Sequence, residues 1–156
     1  MRLRLIAVGG RMPDWVQTAF DDYVKRLPRE LRMELVEISL ATRGKNADIA
    51  RARQLEGERV LKALPDGQRT VALDERGASW SSLDLADQLR RWQQDGRDVA
   101  LLVGGPDGHA PEVIRRAEQK WSLSPLTLPH ALVRVLVAEQ IYRATTLIAG
   151  HPYHRA

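Results

Sequence analysis

The chain has 156 residues, the length of one domain, and this is enough to bury roughly two-thirds of the unfolded surface around a single core. It has no cysteine, so a disulfide framework and a thiolate metal site are both excluded, which fits a reducing compartment. The formal charge of +4 favours a polyanionic partner, and one phenylalanine with three tyrosines argues against a base-stacking platform, so an RNA partner would be bound mainly through phosphates and shape.

The first predicted elements are a strand and a helix. Residues 3–8 form an apolar run that a pair of glycines interrupts, which predicts a buried strand ending in a turn. The run is too short for a signal sequence, and no other stretch approaches membrane-spanning length, so we expect a cytoplasmic protein with no membrane partner. A helix should follow, with Asp14 as its N-cap and Trp15 on its apolar side, and Pro28 should end it.

Strands and helices alternate through the middle of the chain. Further strands are predicted over residues 33–40, 70–73 and 99–103. Helices are predicted over residues 46–64, from a cap at Ser82, and from Pro111. This alternation predicts an α/β fold, a mostly parallel sheet with helices on both faces. We expect one domain over residues 1–156, with a ligand site at the carboxyl ends of the strands.

The segment after the second predicted strand is basic. Arg43 and Lys45 flank a glycine there, and more arginines and lysines follow within residues 46–64. One interpretation is a solvated helix face, which is the usual role of such charges. The other is a strip that contacts phosphate groups.

The strand over residues 99–103 ends in a glycine-rich turn that begins at Gly104. Glycine allows a backbone to approach a ligand closely, so this turn and the loop after Leu73 are candidate ligand sites. The same kind of turn also serves α/β proteins as an ordinary corner. The spacing is not GxGxxG, and the lysine of a P-loop is missing, so dinucleotide and triphosphate sites both lose support.

A proline-rich loop over residues 122–130 leads into the last predicted helix. Pro125 and Pro129 fix their own φ angles and push the preceding residues toward extended conformations. The loop should therefore present backbone groups that can read the edge of a base. Pro129 suits the first turn of a helix, and an apolar stripe follows at helical spacing. The stripe consists of Val133, Val137, Ile141, Ala144 and Ile148.

The same helix has a second apolar side. Three leucines lie off the main stripe, namely Leu132, Leu136 and Leu147. Apolar residues on two sides predict burial between two bodies, which makes a homodimer interface the natural candidate. Glu139 and Arg143 can pair on the helix surface, while Arg134 projects on the opposite side. A core helix with one solvated ion pair is the alternative interpretation.

Five motifs occur in one order along the chain. They are LDERG (73–77), LVGGPDG (102–108), SLSPLTLPH (122–130), EQIYRA (139–144) and PYHR (152–155). Through these motifs the chain resembles, from end to end, the ribosomal RNA large subunit methyltransferase H family. Members of that family are small SPOUT-class enzymes that use S-adenosylmethionine to methylate N3 of a pseudouridine in 23S ribosomal RNA.

The resemblance implies a C-terminal trefoil knot, a homodimer, and large-subunit ribosomal RNA as the partner, within the ribosome. It also implies that three loops hold S-adenosylmethionine through their backbone. The implied donor-binding residues are Leu73, Gly104, Leu123, Ser124, Pro125, Leu126, Thr127 and Leu128. The chain departs from the family pattern at Ala78, Pro106 and His109, and these departures concern donor affinity and the shape of the glycine turn.

Methyl transfer to N3 needs an in-line approach to the sulfonium methyl group and removal of the N3 proton. The charged or titratable candidates for catalysis are Arg143, His154, Tyr153, Glu139 and His130. We assign stabilisation of the deprotonated ring to Arg143 and the role of base or positioning group to His154. His130 has an alternative role in which it only hydrogen-bonds the loop. No metal is expected, because the C-terminal histidines have no carboxylate or cysteine near them.

The last six residues, 151–156, follow a glycine that can end the helix. They combine a phenol ring, imidazoles and a guanidinium, which suit a base and its phosphate. We therefore expect this tail to reach back over a site, and a frayed terminus is the alternative.

The sequence is also consistent with a second class of function. The glycine loops could hold an adenine nucleotide in a non-catalytic, ribosome-associated module. A comparison of the binding affinities for S-adenosylmethionine, ATP and NAD separates this module from a methyltransferase, because a preference for ATP favours the module.

Overall fold

The structure is a computed structural model of the chain that describes residues 1–43 and 48–154. Its strands are β1 (Arg2–Val8), β2 (Arg32–Ile38), β3 (Arg69–Ser79), β4 (Val99–Val103) and β5 (Gln119–Ser122). In the described residues they form one sheet in the order β2-β1-β4-β3-β5, and each neighbouring pair is parallel. The predicted α/β fold with a parallel sheet is therefore confirmed.

Two strands differ from the sequence prediction. β3 extends past Leu73 to Ser79, and its register against β5 shifts between Leu73 and Ala78. The sequence does not predict β5, because its four residues include glutamine, lysine and serine and carry no apolar run. β5 becomes a strand because the neighbouring β3 offers a free edge, so its cause is tertiary rather than local.

The helices are α1 (Asp14–Val24), α2 (Ile49–Ala63), α3 (Ser82–Asp95), α4 (Pro111–Arg116) and α5 (His130–Ala149), and a 3₁₀ turn covers Pro152–His154. Gly150 ends α5 in the left-handed conformation, with φ of 72°, as the sequence predicts. The predicted start of α2 at Asn46 lies outside the described residues. No helix within the described ranges is long and apolar enough to cross a membrane.

Two predicted N-caps are wrong by one residue. Pro13 is the N-cap of α1, so Asp14 is the first helical residue, where its charge still faces the positive end of the helix. Ser81 caps α3 in place of Ser82. The Ser81 hydroxyl accepts the backbone N–H of Asp84 at 3.0 Å, and the Asp84 carboxylate accepts the N–H of Ser81 at 3.0 Å. This reciprocal pair stabilises the first turn.

Helices cover both faces of the sheet, as predicted. Alternate residues of β1 point to opposite sides, so Leu5 packs with α1, α3 and α5, while Ile6 packs with α2 and α4. The prediction that Trp15 lies on the apolar side of α1 is wrong. Trp15 is 57% exposed, and Val16 and Phe20 are buried instead.

The predicted stripe of α5 is confirmed, since Val137, Ile141 and Ala144 are fully buried. Arg134 lies on the side opposite Arg143 and is only 1% exposed. Its guanidinium donates to Glu37 Oε2 at 2.9 Å and to the Gly10 carbonyl at 2.9 Å. A buried charge needs such partners. Arg134 therefore fixes the start of α5 against the ends of β1 and β2.

Candidate active site

A cavity of about 1120 Å³ lies beside the carboxyl ends of β4 and β5 and the irregular part of β3. Seven of the eight predicted donor residues line it, namely Leu73, Gly104, Leu123, Ser124, Leu126, Thr127 and Leu128. Pro125 is exposed and does not belong to this wall. Small-molecule pockets are typically about 300–1,000 Å³, so this cavity has room for a donor and part of a second substrate.

The glycine turn after β4 forms one wall of the cavity. The N–H of Gly108 donates to the Gly105 carbonyl at 3.0 Å and closes the turn. A Cβ atom on Gly104 would stand 2.8 Å from the Gly108 carbonyl carbon and 2.9 Å from the His109 nitrogen. Gly104 is therefore required for the turn itself, and a side chain there would distort the turn as well as fill the cavity.

The proline-rich loop forms another part of the cavity wall and is stabilised by hydrogen bonds of its own serines. The Ser122 hydroxyl donates to the Ser124 carbonyl at 3.3 Å, and the Ser124 hydroxyl accepts the N–H of Leu126 at 2.9 Å. These local bonds, together with the prolines, preset the backbone of the loop. Leu126 is 71% exposed although it lines the cavity.

His109 lies in the cavity wall between β3 and β4. Its Nε2 atom stands 3.0 Å from the Leu102 carbonyl oxygen. Burial lowers the pKa of His109, while the bond to Leu102 and the charge of Asp74 oppose that shift. The imidazole is therefore neutral at physiological pH and bonds the end of β4 as an N–H donor.

The buried histidine predicts a pH dependence of stability. Its pKa is lower in the folded chain than in the unfolded chain, so the stabilisation is complete above the ordinary value of 6.5 and is lost as the pH falls toward the folded pKa. We expect His109→Gln to lose less stability than the wild type between pH 8 and pH 5. Urea midpoints at both pH values measure this, and equal losses would contradict the assignment.

His130 also lines the cavity, at the start of α5. A Cβ atom on Gly9 would lie 3.4 Å from His130 Cδ2 and Nε2, so the ring packs against the turn after β1. Gly9 has φ of 134°, which only glycine adopts readily. The structure thus places His130 in the cavity, away from the other predicted catalytic residues.

The other predicted catalytic residues form a cluster farther along α5. Arg143 donates to Glu139 Oε1 from Nε at 2.9 Å and from Nη2 at 2.6 Å. The Tyr153 hydroxyl donates to the same oxygen at 3.1 Å, and the guanidinium stands 4.9 Å from the centre of the Tyr153 ring. Tyr153 also packs edge-on against Tyr142, with ring centres 4.7 Å apart. The tail therefore lies against α5, although the side chain of His154 is outside the described part.

The cluster has a defined protonation pattern. Burial and the hydrogen bond to Glu139 raise the pKa of Tyr153 well above its ordinary value, so the phenol stays protonated and acts as a donor. The hydrogen bond to Glu139 raises the pKa of Arg143, which keeps the guanidinium charged. Arg143 is therefore a permanent cation, and its charge is paired with Glu139.

The cavity and the cluster are separate within the chain. Arg143 follows His130 by thirteen residues, which is about 20 Å along a helix axis. Reacting atoms must approach to about 3–3.5 Å, so a base bound at the cavity would not meet Arg143 of the same chain.

The cationic side chains in the cavity wall are Arg53, Arg76, Arg115 and Lys120. Arg53 belongs to the basic segment for which the sequence leaves a phosphate contact open, and the other three are not predicted as site residues. Basic residues recur throughout the chain, so sequence gave no reason to single these out. In the described ranges, no group of three or more acidic, histidine or cysteine side chains is arranged to hold a metal ion.

Comparisons with known proteins agree on one family. A family model described as Predicted SPOUT methyltransferase matches residues 1–154. Proteins named Ribosomal RNA large subunit methyltransferase H from Pseudomonas putida and Pseudomonas aeruginosa are 61% and 62% identical over 155 residues, covering 99% of this chain and 100% of each relative.

Solved structures agree at the level of the fold. A methylase family protein from Haemophilus influenzae has a TM-score of 0.56 at 12% identity, over 99% of this chain and 70% of that one. A methylase family protein from Neisseria gonorrhoeae has a TM-score of 0.54 at 18% identity, over 90% and 80%. Together, the parallel sheet, the loops that line the cavity and the full-length match show that the chain belongs to the SPOUT methyltransferase family, in its ribosomal RNA large subunit methyltransferase H branch.

Proposed function

We propose that the chain, as one cytoplasmic domain without a metal, transfers a methyl group from S-adenosylmethionine to N3 of a pseudouridine in 23S ribosomal RNA. The observation that carries the proposal is the convergence of three separated loops, at Leu73, Gly104 and residues 123–128, on one cavity. The resemblance assigns these same loops to the donor, and the relatives' name specifies the ribosomal RNA of the large subunit.

The chemistry requires one displacement and one proton transfer. The N3 lone pair attacks the methyl carbon as the carbon–sulfur bond breaks, so S-adenosylhomocysteine leaves with the sulfur electron pair. The N3 proton passes to a base, for which we propose His154. Arg143 stabilises the negative charge that develops on the ring, and Glu139 and Tyr153 hold the guanidinium in place.

The cavity wall supports an anionic substrate. Arg53, Arg115 and Lys120 stand in the wall, and none of the ion pairs in the described residues involves them. Unpaired cations beside a methyl donor suit the phosphates that flank a target nucleotide. This agrees with the basic charge of the chain and with its few aromatic residues.

We further propose that the active site is completed by a second copy of the chain. Leu132 and Leu136 are each 37% exposed on α5, and Glu139 and Arg143 continue the same line at intervals of three and four residues. A partner that covers these leucines would bring its own cavity beside this Arg143. The predicted third leucine, Leu147, instead packs partly buried against the protomer's own core.

A charge on the proposed interface should separate the protomers. Leu136→Glu would bury a carboxylate between them, so we expect the dimer dissociation constant to rise by a hundredfold or more, roughly. Sedimentation velocity measures the change, and Leu83→Glu on α3, at a site that is 66% exposed, is the matched control. An unperturbed dimer in Leu136→Glu would contradict this interface.

The proposed function is tested with a labelled donor. Methyl incorporation is measured with free 23S ribosomal RNA, isolated large subunits and whole ribosomes, and with RNA that has uridine in place of pseudouridine. We expect incorporation only where pseudouridine is present, and the substrate comparison identifies the form of RNA that is used. A chain that binds ATP in preference to S-adenosylmethionine and transfers no methyl group would favour the nucleotide-binding module instead.

A further inference from the structure

Arg43 bridges two carboxylates behind the glycine turn. Its guanidinium donates to Glu56 from Nη1 at 2.6 Å and from Nη2 at 3.0 Å, and from Nε to Asp107 Oδ2 at 2.7 Å. Nη1 also donates to the Ala41 carbonyl at 2.9 Å. Bidentate arginine–carboxylate bonds of this kind are short, directional and resistant to rearrangement.

These contacts change the interpretation of the basic segment. The sequence leaves Arg43 either in a solvated face or against phosphate. In the structure its charge is compensated by Glu56 and Asp107, whose hydrogen bonds raise its pKa, so Arg43 has no free charge for a phosphate. Lys45, the second residue of that basic strip, lies outside the described residues.

Glu56 anchors this arrangement in α2. It is only 2% exposed, and its Oε2 also accepts the backbone N–H of Ala41 at 3.0 Å. The next residue, Gly57, lets α2 approach closely, because a Cβ atom there would lie 2.5 Å from the Ala110 Cβ. A Cβ atom on Gly105 would stand 3.3 Å from Glu56 Oε1. The fixed carboxylate of α2 is therefore directly behind the donor turn.

Asp107 is the part of this network that belongs to the donor turn. It lies between Gly105 and Gly108, the two residues whose hydrogen bond closes the turn. Gly108 has φ of 78°, and glycines leave a turn with many conformations unless something outside the turn selects one. The bond from Arg43 connects the turn to the rigid α2 helix and removes that freedom.

We infer that Arg43 is a positioning residue for the methyl donor, which acts through Asp107 to hold the turn over residues 104–108 in the shape that S-adenosylmethionine requires. The inference rests on the proposed function. A turn that is already ordered loses little conformational entropy when the donor binds, so the network contributes to affinity without contacting the donor. Its loss raises the donor KM and leaves the transfer step unchanged at saturating donor.

The inference is tested with Arg43→Lys, Asp107→Asn and the double variant. Lysine keeps the charge but cannot bond both carboxylates, and asparagine keeps the shape of Asp107 without its charge. We expect each single variant to raise the donor Kd and KM about tenfold, with kcat within about twofold of the wild type. The double variant should be no worse than either single variant, since both substitutions weaken the same Arg43–Asp107 contact.

Arg59→Lys is the matched control. Arg59 lies on α2, is exposed, and donates to the Ser39 carbonyl at 2.9 Å in the same loop region, without contacting the turn. Arg59→Lys should leave the donor Kd unchanged. A role confined to stability would lower the melting temperature of Arg43→Lys and leave the donor Kd of the folded protein at the wild-type value, which would overturn the inference. Asp107→Asn gives the same decision if Arg43→Lys does not fold.

Different results would overturn the positioning role of Arg43 and the proposed function. A wild-type chain that binds the donor and methylates RNA, with variants of equal donor affinity, overturns the positioning role alone. A wild-type chain that binds no S-adenosylmethionine overturns the proposed function and the inference with it.

Discussion

Arg143→Ala is expected to lower kcat for methyl transfer by about 10²–10³-fold, because it removes the cation to which we assign stabilisation of the deprotonated ring. The donor Kd should stay within about twofold of the wild type, since Arg143 does not line the cavity. Single-turnover kinetics with saturating donor and RNA, together with donor calorimetry, measure the two quantities. The result separates a role in chemistry from a role in donor binding.

A matched control is available at the other end of the strands, away from the cavity. Arg97 pairs with Asp95 and Glu118, so Arg97→Ala also breaks an arginine–carboxylate network, one that is far from the cavity. It should not change kcat. Near-normal turnover in Arg143→Ala would remove Arg143 from the mechanism. A loss of donor affinity with unchanged kcat would place Arg143 in the donor site instead.

Deletion of residues 151–156 is expected to lower methyl transfer by at least about a hundredfold while leaving donor affinity and dimerisation intact. The tail packs on Glu139 and Arg143 through Tyr153, and none of the tail residues that the structure describes lines the cavity. Its removal takes away the proposed base, His154, and also frees the Arg143 guanidinium to move. Labelled-donor transfer, calorimetry and sedimentation on the truncated chain test the three parts of the expectation.

Tyr153→Phe divides the effect of the tail into two contributions. It keeps the ring against Tyr142 and removes only the hydroxyl that donates to Glu139. We expect a loss of about tenfold, which corresponds to one hydrogen bond to a charged group. A truncated chain that methylates at nearly the wild-type rate would show that the tail has no part in catalysis.

The sequence predicts the elements whose cause is local. β4 is a run of five buried apolar residues, and the stripe of α5 repeats at helical spacing, so both were predictable. β5 was not, because its pairing with β3 decides its conformation. The trefoil knot is implied only by membership of the SPOUT family, because the spacing of apolar residues carries no information about threading.

The loops of the candidate site were predictable from the sequence, and the roles of its charged side chains were not. Glycines and prolines indicate backbone geometry, so the turn at Gly104 and the proline-rich loop stood out as candidate ligand loops from their residues, and the resemblance assigned the donor to them. Arg43 and Arg134 are indistinguishable in sequence from solvated arginines. Their carboxylate partners lie thirteen and 64 positions away for Arg43, and 97 positions away for Arg134. Only the fold brings such partners together.

Complementation between two inactive variants tests the shared active site most directly. Gly104→Val disrupts the donor turn, and Arg143→Ala removes the cation, so each variant homodimer should be inactive. Sedimentation is used first to show that each variant is folded and dimeric. In a mixed dimer, the intact cavity of one protomer faces the intact Arg143 of its partner at one of the two sites. An equal, freely exchanging mixture should therefore recover about a quarter of the wild-type methyl transfer to pseudouridine. No recovery in mixed dimers would contradict the shared active site and place the whole reaction within one protomer.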